Sequence, residues 1–150
     1  MLYSVARQIA VFSAIGSFGA TMTGLFGGWD SALSTLVIFM CIDYVMGLMV
    51  AAFFKKSKKS KNGALDSNAG WKGLLKKGVT LLIVLIACRL ELITGIGFIR
   101  DAVVIAYIAN ETISITENAG LMGVSIPKPI LRAIDILKQK EEDSDAKTDN

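Results

Sequence analysis

Four stretches of about twenty mostly apolar residues, each the length a helix needs to cross roughly 30 Å of hydrocarbon, follow one another between Ile9 and Gly123. A block with eight lysines and one aspartate, Lys55 to Lys77, divides the second from the third. The pattern places membrane helices at Ile9–Phe26, Leu33–Phe54, Gly78–Phe98 and Asp101–Leu121. In a chain of 150 residues with 53% hydrophobic residues and a mean hydropathy of +0.54, too few polar residues remain to cover these segments in water. The expected fold class is an all-α membrane protein of about four transmembrane helices. Asn110, Glu111, Glu117 and Asn118 interrupt the fourth stretch, so a shallow or re-entrant course stays open for it.

Placement of the charges sets an orientation. Beyond the eight lysines of the central block, five basic residues lie from Lys128 onward, and only Arg7, Arg89 and Arg100 lie elsewhere. Positive charge near membrane ends marks the cytoplasmic side. Four crossings with a basic central loop therefore put both termini in the cytoplasm and leave two short outer loops, with Tyr3 and Trp29 at interfacial positions. Arg7 and the small residues Ser17-Phe18-Gly19-Ala20 loosely resemble a secretory signal, but the apolar run continues through Gly24, and retention as a first helix is expected.

By domain, residues 1–126 form the helical bundle, with 55–77 as its cytoplasmic loop. Ser57, Ser60, Asn62, Gly63, Ser67, Asn68 and Gly70 make that loop a flexible linker ending in a short Trp71–Lys77 helix. Attraction of its lysines to anionic membrane lipids follows from charge alone, whereas nucleic-acid binding is not expected of so short a tethered segment. After Pro127, Ile130, Leu131, Ile134 and Leu137 recur at helical spacing among Lys128, Arg132, Asp135 and Lys138. This predicts an interfacial amphipathic helix over 127–140, followed by a disordered acidic tail, 141–150.

Enzymatic chemistry finds no foothold. The chain has no histidine, hence neither the commonest general base nor the commonest metal ligand, and it has no metalloprotease, nucleophile-elbow, P-loop or CxxC spacing. No catalytic residue, cofactor or metal is expected. Cys41 and Cys88 fall within membrane segments, where thiols act as small apolar packers.

What distinguishes the helices is their polar decoration. Gly16, Ala20, Gly24 and Gly28 recur every four residues beside a second row, Ser13, Ser17 and Thr21, and small residues at this interval allow close backbone approach in lipid. The row is read either as an oligomerisation face or, more plainly, as packing against another helix of the same chain. Asp43 lies near the middle of the second helix with Gly47 one turn on. A carboxylate at that depth costs on the order of 3 kcal/mol and needs a partner. Arg89 and Glu91 point in different directions on the third helix, so Arg89 either snorkels outward or reaches Asp43 or Glu111. Asn110, Glu111, Ser114, Glu117 and Asn118 form a polar stripe on the fourth helix. In a resting monomer it is expected to be a closed seam of a four-helix bundle; after assembly, the wall of an aqueous hole.

From about Leu36 to Leu137 the chain resembles the toxin-secretion/phage-lysis holins. The resemblance rests on Asp43-x-x-x-Gly47, on Gly73-Leu74-x-Lys76-Lys77 after the basic loop, on Asn110-Glu111-x-x-Ser114-Ile115-x-Glu117-Asn118, and on Gly123-Val124-x-Ile126-Pro127. It implies a non-enzymatic hole-former that homo-oligomerises in the bacterial cytoplasmic membrane and releases an endolysin, or in some relatives a toxin, as passive cargo, with an antiholin as a further partner. The competing class is a small proton- or cation-coupled transporter or channel using Asp43 or Glu111, against which stand the lack of broken-helix signals and of an inverted repeat.

Overall fold

The computed structural model describes residues 2–58, 63–136 and 139. Among these residues all regular structure is helical. Helix α1 covers Leu2–Leu25, α2 Ser31–Met49, α3 Ser67–Thr94 and α4 Ile99–Leu121. A π-helical turn, Val50–Phe54, prolongs α2, and residues 128–136 add a further helical stretch.

Local chemistry sets the boundaries. Gly27 and Gly28 take φ of 71° and 106° in the turn after α1, a region open chiefly to glycine. Asp30 then caps α2, its Oδ1 accepting from the Leu33 N–H at 2.8 Å; such a cap satisfies one of the donors that a helix start leaves free. Asp66 does the same for α3, accepting from the Asn68 N–H at 2.8 Å. This cap corrects the reading of 55–77 as one flexible loop with a separate short helix. The loop stops at Asp66, and Lys72, Lys76 and Lys77 ride on the same continuous helix as the apolar run behind them. Gly63 stays in the loop, with φ of 68°, whereas Gly70, read as part of the linker, lies on α3 with Gly73, and a Cβ at Gly70 or Gly73 would sit 3.8 or 4.0 Å from the Tyr44 side chain.

The bundle has three helices rather than four. α2 and α4 pair along their length, and α3 leans mainly on α4. α1 stands apart, with every side chain from Tyr3 to Thr21 exposed and nothing within 4 Å of a Cβ at Gly16 or Gly24. Same-chain packing of the small-residue row is thereby overturned. Gly28 also drops out of the row, since it lies beyond the helix with φ of 106°.

Leu33, Leu36 and Met40 from α2, Val84 and Cys88 from α3 and Val104 from α4 make up the apolar core. All sit toward the end of the bundle that carries the α1–α2 and α3–α4 turns. Two helices, Tyr3–Leu25 and Ser31–Phe54, are long and apolar enough to cross a membrane, not four. Lys77, Arg89 and Glu91 on α3, and Arg100, Asp101 and the polar stripe on α4, lower the apolarity of the other two. In the stretch 128–136 Ile134 is buried while Ile130, Leu131 and Ile136 are exposed. Leu137 and the acidic 141–150 segment lie outside the described residues.

Candidate functional site

Asp43 is 4% exposed near the middle of α2, and it has the partners its depth demands. Lys77 Nζ of α3 lies 2.9 Å from Asp43 Oδ2 and donates to Glu111 Oε2 of α4 at 2.5 Å. The Asn118 side-chain amide of α4 donates to Asp43 Oδ1 at 2.9 Å. Three helices are thus joined by one ammonium, two carboxylates and one amide. Gly47 lies beside Asn118: a Cβ there would sit 3.8 Å from Asn118 Nδ2, an ordinary contact. Leaving a buried charge unpaired is costly, and among the described residues no buried side-chain nitrogen or oxygen lacks a hydrogen-bond partner.

Two expectations change here. Arg89 reaches neither Asp43 nor Glu111; it is exposed, and the cation that meets both carboxylates is Lys77, twelve residues earlier on the same helix. The stripe on α4 is not a single closed seam. Glu111 and Asn118 turn into the bundle, Ser114 is half-buried, and Asn110 and Glu117 are exposed, Glu117 lying 3.9 Å from Lys58. All five border a cleft of about 950 Å³ between α2, α4 and the first half of α3, with Asp43 and Lys77 among its lining residues.

At the opposite end a second cluster ties the turns together. Arg100, 8% exposed, donates through Nη1 to Asp30 Oδ2 at 2.6 Å and to Asp101 Oδ1 at 3.2 Å, and through Nε to the Phe26 carbonyl at 3.1 Å. Glu91 Oε2 accepts from the Arg100 backbone N–H at 2.9 Å, and Cys88 Sγ contacts the Phe26 carbonyl at 3.3 Å. The hydrogen bond from Arg100 holds the Asp30 carboxyl below its ordinary value of 3.8, aided by the Leu33 N–H. Sequence reasoning missed this clamp because Arg100 and Asp30 stand 70 residues apart. It placed Lys77 in the loop for want of the Asp66 cap. Among the described residues no group of three or more metal-ligating side chains is assembled.

A sequence profile described as the bacteriophage holin family matches residues 20–139. An uncharacterized 14.9 kDa protein of Clostridium perfringens is 39% identical over 129 residues, covering 85% of this chain and 92% of its own length. An uncharacterized protein of Listeria innocua is 37% identical over 143 residues, covering 95% and 96%. A protein of Bacillus phage phi105 named a probable holin is 33% identical over 118 residues, covering 78% and 79%. No solved structure matches the chain.

Proposed function

This chain belongs to the bacteriophage holin family, and on that premise we propose that it accumulates in the bacterial cytoplasmic membrane and assembles into holes that release a cell-wall hydrolase. The family is one of non-enzymatic pore-forming membrane proteins. The observation that carries the proposal is the joining of α2, α3 and α4 by Asp43, Lys77, Glu111 and Asn118. A polar seam within apolar helices gives one sequence two uses for the same groups, partnered inside a monomer or lining water in an assembly.

Four crossings belong to the same proposal. α3 and α4 are less apolar than α1 and α2, but Lys77 faces Asp43 and Glu111, and Arg100 faces Asp30 and Asp101. Charges that meet partners inside the bundle cost far less in a bilayer than isolated ones. With the lysines of 55–77 inside, both termini are cytoplasmic; reporter fusions after Lys61 and at Asn150 that gave opposite sides would remove one crossing. Self-association uses the face of α1 that carries Gly16, Ala20 and Gly24, which is left unpartnered in the monomer. Anionic lipids meet the lysines of the loop and of the start of α3. The cargo is an endolysin or a toxin, and an antiholin is the natural regulator of such an assembly.

The deciding experiment is induction in bacteria with and without a cytoplasmic muralytic enzyme that has no signal sequence. Abrupt lysis is expected only with both. Proton-dependent solute flux through intact cells, with no lysis, would replace the proposal by a coupled transporter.

A further inference from the structure

The helices close on one another unevenly. All buried residues of α3 lie at Val84, Ala87 and Cys88, and none between Ser67 and Ile83 is buried. α2 and α4, by contrast, keep buried residues toward both ends, from Leu33 and Val104 at one to Val50, Ala51 and Ala119 at the other. The first half of α3 touches α2 at Gly70, Gly73 and Lys77 but buries no residue of its own there, and the cleft of about 950 Å³ is the wedge left along it.

The lining of that wedge decides what fills it. Between apolar walls that include Tyr44, Leu48, Val50, Leu75 and Val79, it carries four carboxylates, Asp43, Asp66, Glu111 and Glu117, against four lysines, Lys58, Lys72, Lys76 and Lys77. Acyl chains offer such groups no partners, and a balance of signs gives no preference for an anionic headgroup. The occupant that fits is water. At the other end Leu33, Leu36, Val84 and Val104 are each no more than 1% exposed, and Arg100 pins the turns above them through Asp30 and the Phe26 carbonyl.

We infer that each monomer is already a half-channel: a water-filled vestibule open to the loop side, closed at Asp43–Lys77–Glu111, and sealed beyond it by a plug of Leu33, Leu36, Met40, Val84 and Val104. The inference rests on the hole-forming reading only for what opens the plug. Assembly then has to open the outer half alone. The residues that set the moment of opening are those of the plug, while Asn110, Ser114 and Glu117 of the α4 stripe are wet from the start and Glu111 and Asn118 stay partnered until then.

Single cysteines test this in a full-length chain carrying Cys41→Ser and Cys88→Ser, the serine at 88 keeping a donor for the Phe26 carbonyl. Ser114→Cys and Asn110→Cys report the vestibule, and Met40→Cys and Val104→Cys report the plug. The probe is a charged, membrane-impermeant maleimide applied to inside-out vesicles from cells harvested before lysis. Reaction at 114 and 110 should exceed that at 40 and 104 by about tenfold or more, since a plug site reacts only through local opening and each 1.4 kcal/mol of opening free energy is about a factor of ten. After lysis onset the plug sites should react at comparable rates. Equal rates at all four sites before lysis, or protection of 110 and 114 until lysis, would overturn the half-channel. Lysis is scored in the same cells. The labelling contrast without lysis by any variant, parent included, supports the vestibule while rejecting the hole-forming function. As a second readout, Val104→Thr, which wets the plug with little change of volume, should bring lysis forward; an unchanged or delayed onset at equal protein level counts against the plug.

Discussion

Replacing Lys77 by methionine removes one ammonium and leaves two carboxylates facing each other in the middle of the bundle. The Asp43 and Glu111 side chains are 5% and 8% exposed, and Lys77 is 15% exposed. Breaking a buried ion pair from one side costs about 3–5 kcal/mol, because the remaining charge is left without compensation. Lys77 serves two such charges, but the adjoining cleft brings water near, so the lower end, about 3 kcal/mol, is the expected loss for Lys77→Met. Glu111→Gln should be milder, since a neutral amide still accepts from Lys77 and the Asp43–Lys77 pair stays balanced. The triple variant Asp43→Asn, Lys77→Met, Glu111→Gln removes every charge of the network and should recover much of the loss, as neutral replacements of buried ionic groups often do. The assay is unfolding of the purified chain in mixed micelles by a denaturing detergent, followed by helical signal. Lys77→Met within about 0.5 kcal/mol of the parent, the usual range for a surface substitution, would refute the reasoning. So would a triple variant as unstable as the single one.

Three further outcomes are expected. Because Arg100 holds the Asp30 carboxyl below 3.8, the stabilisation from this pair is complete above that value and fades as pH falls below it toward the lower folded value; an acid titration of helical signal should lose this step in Asp30→Asn. Gly73→Ala should be tolerated or slightly stabilising, by up to about 1 kcal/mol from helix propensity, since its Cβ would meet Tyr44 at an ordinary 4.0 Å, whereas Gly73→Leu should cost about 1–3 kcal/mol by overpacking in the same detergent assay. Gly16→Leu and Gly24→Leu should weaken chemical crosslinking between copies more than Val11→Leu, because bulk on a small-residue face separates helix backbones, with monomer stability unchanged since neither glycine touches its own chain.

The helices were legible because apolar length is a strong local signal, and Asp43 was legible as a residue in need of a partner because a carboxylate there is expensive on its own. The identity of that partner was not, since it depends on helix phase. Lys77 belongs to the site only because the Asp66 cap starts α3 at Ser67, eleven residues before the apolar run at Gly78, and so extends one rigid phase back through the lysines. A Gly/Ser/Asn-rich composition reads as linker whether or not a cap follows. The division of the α4 stripe into inward Glu111 and Asn118 and outward Asn110 and Glu117 is likewise a matter of angle. A 3.6-residue period groups these residues on one broad face but does not say where its edge falls. The isolation of α1 has a third cause: a small-residue row specifies close approach without naming the surface approached.

The continuity of α3 has a mechanical consequence. Its 28 residues span about 42 Å at 1.5 Å per residue, some 12 Å more than the roughly 30 Å hydrocarbon layer. In the four-crossing arrangement proposed above, the surplus is the eight-residue Ser67–Leu74 end, a stiff lever protruding on the lysine-rich side with Trp71 near its tip. Val84 and Cys88 act as the fulcrum, and Lys77 sits between fulcrum and tip. In that arrangement a sideways displacement of the tip is transmitted to the Lys77 ammonium with no flexible joint in between, so a push delivered outside the bilayer is felt at the cation that joins α3 to Asp43 of α2 and Glu111 of α4.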